Sequence, residues 1–259
     1  MGDSVGLGDR MKGYEAAARM VLPRRTYTVI RVDGRAFHTY MRGADKPFDD
    51  GFMAAMDRVA EALCTEVGGA AFAYTQSDEV SVLATDFAAA GTEPWFGGVV
   101  AKQVSVAAAV ATAEMNAQRP GKRALFDARV FTVPDAVEAA NYFLWRQRDA
   151  VRNSVAMAAQ ARFSQRRLHG VPVSGMRRLL LDEAGVDWYA YPDGCKRGRV
   201  ALRQSGMRET TWVDRRTGAT NTAYAERSWW ESEAAPEFSA AASGWLAGMI
   251  PQQPASPEG

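Results

Sequence analysis

Cysteine and histidine are almost missing from this chain of 259 residues, which carries two of each. Cys64, inside a helical pattern, and Cys195, in a polar loop, supply no metal-ligand spacing and no disulfide framework, so a reducing, cytoplasmic setting is expected. With only His38 and His169 there is no histidine cluster. No apolar run approaches the roughly 20 residues that span a bilayer, and no apolar signal core stands near the N-terminus, so a membrane partner is not expected. Neither a Gly-Lys-Ser/Thr phosphate loop nor a Gly-x-Gly-x-x-Gly turn occurs, which argues against the common P-loop and dinucleotide folds. An excess of one charge is also missing: the 31 basic and 30 acidic residues leave a formal +1, so any nucleic-acid surface must be local.

What the chain does contain is a regular alternation of patterns. A weak helical pattern from Met11 to Met20 leads into a first strand over Tyr27 to Val32. Asp49 and Asp50 then open a helix whose Phe52, Met56, Val59, Ala60, Leu63 and Val67 recur on one face, with Gly68-Gly69 as its stop. Ala71 to Thr75 and Val80 to Thr85 read as a hairpin around Gln76-Ser77-Asp78-Glu79. Trp95 to Gln118 is alanine-rich and reads as a buried helix, Phe126 to Val133 as a fourth strand, and Asp135 to about Arg167 as the longest helix. Strand, helix, hairpin, helix, strand is the order of a split βαβ unit, an antiparallel sheet with helices packed on one face. Residues 1–170 are therefore expected to form the α+β catalytic domain, 171–249 a C-terminal extension for RNA contact and oligomerisation, and 250–259, rich in Pro, Gln, Ser and Gly, a disordered tail.

Two acidic sites stand where strands meet turns. Asp33 precedes Gly34 at the end of the first strand, and Asp78 sits at the hairpin tip beside Ser77 and Glu79. Carboxylates at neighbouring strand ends can converge on hard divalent cations that bridge to substrate phosphates. Gly34 permits close backbone approach, and the amides from Gly34 to His38 can form a concavity for phosphate oxygens, with Lys46 and Ser77 as further contacts. Asp-Gly is equally an ordinary strand-ending turn and Ser-Asp-Glu an ordinary hairpin tip, and on spacing alone that plain reading is slightly the better one. Arg146, Arg148 and Arg152 could grip an RNA backbone or simply line a solvated helix face; Lys196, Arg197 and Arg199 form a second basic patch in a glycine-punctuated loop. Trp229, Trp230 and Trp245 are expected to cover the core rather than stack bases.

Ordered segments of the chain resemble the tRNA-His guanylyltransferase family. They are Asp9-Arg10-Met11-Lys12-Gly13-Tyr14-Glu15, Arg31-Val32-Asp33-Gly34-Arg35-Ala36-Phe37-His38, Lys46-Pro47-Phe48-Asp49, Ala73-Tyr74-Thr75-Gln76-Ser77-Asp78-Glu79, Trp95-Phe96-Gly97-Gly98, Phe126-Asp127-Ala128-Arg129 and Trp145-Arg146-Gln147-Arg148-Asp149. The resemblance implies a polymerase-like palm in which Asp33, the Gly34 carbonyl and Asp78 bind two Mg²⁺ ions, with Glu79 as a further catalytic carboxylate. Asp33, Gly34, Arg35, Ala36, Phe37, His38, Lys46, Ser77 and Asp78 would form the nucleotide site, and Arg148, Arg152, Asn153 and Lys196 would contact RNA. It also implies ATP and GTP as substrates, tRNA as the acceptor and a homotetramer built as a dimer of dimers. Ala150-Val151-Arg152-Asn153-Ser154 stands where enzymes dedicated to tRNA-His carry a His-Ile-Asn-Asn-like stretch. That departure is closer to the guanylyltransferase-like branch, which extends truncated tRNA 5′ ends by template pairing in the 3′-to-5′ direction. A palm-type nucleotide cyclase and a non-catalytic tRNA-binding protein are the competing expectations.

Overall fold

A computed structural model describes residues 6–239 and 244–254. In chain order the elements are α1 (Leu7–Ala17), β1 (Tyr27–Gly34), α2 (Phe37–Tyr40), α3 (Asp50–Glu66), β2 (Ala70–Gln76), β3 (Glu79–Ala84), α4 (Val100–Gln118), β4 (Phe126–Val133), α5 (Ala136–Gln160), α6 (Gln165–Leu168), α7 (Val173–Ala184), α8 (Asp193–Arg197), β5 (Arg199–Val213), β6 (Thr220–Ala234) and α9 (Trp245–Met249). The strands form one six-stranded sheet in the order β4-β1-β3-β2-β5-β6, every neighbouring pair antiparallel.

Local chemistry sets the helices that cover this sheet. Asp49 starts α3 by accepting the Phe52 amide at 2.6 Å, which satisfies one of the amides a helix start leaves unpaired. The face of α3 carrying Met56, Val59, Ala60 and Leu63 then packs with Ala107, Ala111 and Met115 of α4 against Ile30, Val32, Val80 and Val82. On the opposite face Ala139, Ala140 and Phe143 of α5 meet Val29, Phe72 and Leu83. Each such Phe or Leu contributes about 1.5–3 kcal/mol of transfer free energy. Helices thus cover both faces, not the single face expected, and every residue of β3, Glu79 and Ser81 included, is buried between them. A third cluster, of Val155, Ala158, Leu168, Leu180 and Trp188, joins the second half of α5 to α7.

The C-terminal segment is part of this sheet. β5 adds to β2 with Ala73 opposite Ala201, and its entry requires Gly198, where a Cβ would fall 2.5 Å from the Thr75 carbonyl oxygen. Beyond that anchor β5 and β6 run on as a two-stranded ribbon. At the start of the segment expected as a tail, Ile250 is buried and Tyr27 donates to the Pro251 carbonyl at 2.8 Å. Residues 255–259 lie outside the described residues. Trp245 stacks on Phe238 with ring centroids 5.5 Å apart, and Trp230 packs against the first core cluster, in line with a covering role.

Candidate active site

Asp33 lies in register between Glu79 of β3 and Asp127 of β4, so three acidic residues stand abreast at one level of the sheet. The amide of Gly34 donates to the Asp78 carbonyl at 3.0 Å, which pins the first turn to the hairpin tip and brings both expected carboxylates to one corner of the sheet. Gly34 has no room for a side chain: a Cβ there would fall 2.4 Å from the Phe37 ring. Ala36 then takes a left-handed conformation, φ 56°, reversing the chain into α2 so that the backbone from Gly34 to His38 curves around a small concavity. Arg35, Ala36 and His38 are exposed at its rim, while Phe37 is buried against Phe52 and Phe126.

Electrostatics single out Asp78. Burial pushes its carboxyl up to about 6, with the charges of Asp33 and Glu79 adding to the rise and hydrogen bonds from its own backbone amide and Ser77 opposing it. Two carboxylates held together in this way favour a cation between them. Among the described residues no group of three or more His, Cys, Asp or Glu side chains converges as a metal site. Carboxylate oxygens suit Mg²⁺, which keeps part of its water shell and leans on substrate phosphates.

Glu79 is not a third free carboxylate. Arg146 grips it with two hydrogen bonds, Nε at 2.8 Å and Nη2 at 2.7 Å, and both side chains are buried. Arg31 adds a longer contact at 3.9 Å, and Arg146 also reaches Asp149 at 3.0 Å. Glu79, expected as a further catalytic carboxylate, is thus held by a guanidinium fork, which lowers its strength as a ligand or base. The same holds for Lys196 as an RNA contact: it is buried, donates to the Tyr189 carbonyl at 2.7 Å and pairs with Asp193. Arg148 is exposed on α5, Arg152 is exposed and pairs with Asp149, and Asn153 is exposed beside them.

A cavity of about 200 Å³ opens beside Ser77. Phe48, Phe52, Met53 and Met157 give it apolar walls, and Lys46, Asn153 and Arg199 give it polar edges. Arg199 is fixed there by Asp57 at 2.5 Å and the Met53 carbonyl at 3.1 Å. Sequence pattern places Phe52 on a helix face and gives no role to Phe48, Met53, Met157 or Cys195. Only the meeting of the 41–49 loop, the start of α3, α5 and α8 makes them one surface. Gln147 was also overlooked: it donates to the Pro236 carbonyl at 2.8 Å and accepts from Phe238 at 2.7 Å, tying α5 to the segment after β6.

An antiparallel palm sheet presenting two carboxylates where β1 and the β2–β3 hairpin end, next to an apolar cavity, is the architecture of a nucleotidyltransferase. A family model described as Thg1, tRNAHis guanylyltransferase, matches residues 8–134. A bacterial tRNA(His) guanylyltransferase (Thg1)-like protein solved in complex with ATP superposes with a TM-score of 0.74 at 40% identity, over 76% of this chain and 88% of that one. A bacterial protein of the same description in complex with GTP gives 0.69 at 33% identity, over 89% and 92%. The tRNA(His) guanylyltransferase of Debaryomyces hansenii is 26% identical over 69% of this chain and 74% of its own length. The chain belongs to the tRNA-His guanylyltransferase family and is a nucleotidyltransferase.

Proposed function

We propose that the chain adds guanosine, or template-matched nucleotides, to the 5′ end of tRNA in the 3′-to-5′ direction, with Asp33, the Gly34 carbonyl and Asp78 holding two Mg²⁺ ions. The observation that carries this reading is the joining of Asp33 to Asp78 through the Gly34 amide, with Ser77, next to Asp78 in the chain, lining a cavity that Phe48 and Phe52 wall. The two solved relatives bound to ATP and GTP support nucleotides as its substrates.

In the first step a 5′-phosphate oxygen of the tRNA attacks the α-phosphorus of ATP or GTP; a P–O bond forms and pyrophosphate leaves. The 3′-hydroxyl of the incoming nucleotide then attacks the activated 5′ phosphorus, loses its proton and expels AMP or GMP. Cleavage of pyrophosphate from the added nucleotide completes the cycle. Bound Mg²⁺ would supply charge neutralisation and a lowered hydroxyl pKa. This chain's residues supply position: the Gly34–His38 backbone and Ser77 for phosphate oxygens, Lys46 for the triphosphate, and Phe48 with Phe52 for the base.

Arg148, Arg152 and Asn153 on the exposed face of α5 would take the tRNA backbone. A homotetramer, a dimer of dimers, working in the cytoplasm completes the reading; no described helix is long and apolar enough to cross a membrane. The test is incubation with 5′-monophosphorylated tRNA, Mg²⁺, ATP and labelled GTP. Label at the tRNA 5′ end is expected. Retention of tRNA without incorporation, or cyclic nucleotide made from free ATP or GTP, would overturn the reading in favour of a binder or a cyclase.

A further inference from the structure

Single exposed apolar side chains are ordinary on a protein surface, but Trp145 of α5 is 55% exposed and at the same time held rigidly. The Arg146 guanidinium lies over its ring, 4.5 Å from the centroid, and the Tyr142 ring meets it in a T-shaped contact at 5.9 Å. Both braces run to β3. Arg146 grips Glu79, the residue after Asp78, and the Tyr142 hydroxyl shares a 2.8 Å hydrogen bond with Ser81. The indole is thereby fixed to the strand that leads out of the Asp78 hairpin tip, while the rest of its surface meets solvent.

Helical spacing sets Trp145 in a row. Asn141, Trp145, Arg148 and Arg152 follow one another at intervals of four, three and four along the exposed side of α5, with Trp145 and Arg152 about 10 Å apart along the axis. Acidic groups flank the row without breaking it. Asp149 is taken up by Arg146, Arg152 and Asn153, and Glu138, about two turns before Trp145, accepts from Asn141. Guanidinium groups followed by a fixed aromatic ring suit a nucleic-acid strand, the first for phosphates and the second for a base.

We infer that Trp145 stacks on an unpaired base at the acceptor end of the tRNA, the base of the 3′ strand that adjoins the 5′ phosphate, while Arg148 and Arg152 hold that strand's backbone. Only an unpaired, splayed base offers its face to a side chain. The brace through Arg146 and Glu79 ties the ring to the corner where Asp33 and Asp78 meet, so stacking fixes the tRNA end relative to both carboxylates. This rests on the tRNA reading above and names the residue that positions the acceptor end.

The test uses tRNA carrying 2-aminopurine at the first unpaired position of the 3′ strand, whose emission falls when the base stacks on a ring. The unaltered protein and Trp145→Phe are expected to quench it. Trp145→Leu, which keeps an apolar side chain without a ring, is expected to leave the probe bright and to raise the Kd for tRNA about tenfold. The slope of log affinity against log salt should be the same in Trp145→Leu as in the unaltered protein, since no phosphate contact is lost. Equal quenching by Trp145→Leu, a tenfold loss of affinity with quenching retained, or quenching only when the probe stands in the anticodon loop overturns the stacking. An unaltered protein that extends tRNA without quenching the acceptor-end probe loses this assignment alone, whatever the stability of the variants. One that neither binds nor extends tRNA loses the proposed function as well.

Discussion

Glu79 and Arg146 form a buried, two-pronged ion pair that joins the residue following Asp78 to the middle of α5. The hairpin tip that carries one expected metal ligand is thereby anchored from the side opposite the α3–α4 layer. Removing one partner leaves an uncompensated buried charge, which costs about 3–5 kcal/mol. Arg146→Ala should lower the urea midpoint accordingly, while Glu79→Gln paired with Arg146→Met should cost less than either change alone. If Glu79→Gln abolished nucleotide addition with stability untouched, Glu79 would be acting in the chemistry after all.

Asp33→Asn and Asp78→Asn are expected to reduce 5′ addition by at least about a thousandfold and to leave circular dichroism unchanged, since each removes a charge from a strand end and not from a core cluster. Turnover within tenfold of the unaltered protein in either variant would show that the ion-holding residues lie elsewhere.

Asp78 also sets a pH dependence in metal-free protein. Its folded value is raised, to about 6, by burial and by like charges, so the folded state holds this proton more tightly than the unfolded chain. Its ionisation penalty is absent below the unfolded range near 4, grows as the pH rises toward 6 and is complete above it, reaching about 1–3 kcal/mol. Asp78→Asn should therefore raise the metal-free melting temperature at pH 7.5 but not at pH 4. Added Mg²⁺ should stabilise the unaltered protein much more than the variant. A variant that melts with its parent at both pH values would contradict the strain assigned to this carboxyl.

Arg148 and Lys196 are expected to behave oppositely despite their equal charge. Arg148→Ala should weaken tRNA binding and reduce the slope of log affinity against log salt by about one, while stability stays within about 0.5 kcal/mol. Lys196→Ala should instead lower the melting temperature, because the Tyr189 carbonyl and Asp193 lose their buried partner, and leave the salt slope as it was.

Cavity size gives an independent check on the base pocket. Ala161 lines it, and Ala161→Phe would fill much of the space. The KM for the incoming nucleotide should rise about tenfold or more with tRNA affinity retained. Unchanged nucleotide KM would remove this cavity from the site.

The elements were legible where periodicity is local. Tyr27–Gly34, Phe126–Val133 and the hairpin around Ser77-Asp78 fall where β-branched and aromatic runs end in turn residues, and Asp49 caps its helix as its side-chain chemistry requires. The polar face of α5 was misleading, because arginines at neighbouring positions read alike in sequence. Arg146 turned inward to Glu79 and Arg148 turned outward, a difference set by which side of the helix meets the sheet. The ribbon's place in the palm sheet was hidden for the same reason: pairing of β5 with β2 joins residues more than 120 positions apart, and no local pattern encodes it.

The chain's order of residues by itself determined the strand ends that carry Asp33 and Asp78, the glycine between them and the family to which they belong, since each rests on short-range backbone preferences and residue chemistry. Tertiary structure alone decided which charges are free to act. Burial and ion pairing depend on neighbours brought in from distant elements, and it is those neighbours that raise the Asp78 carboxyl, neutralise Glu79 and Lys196, and gather Phe48, Met157 and Arg199 around one cavity.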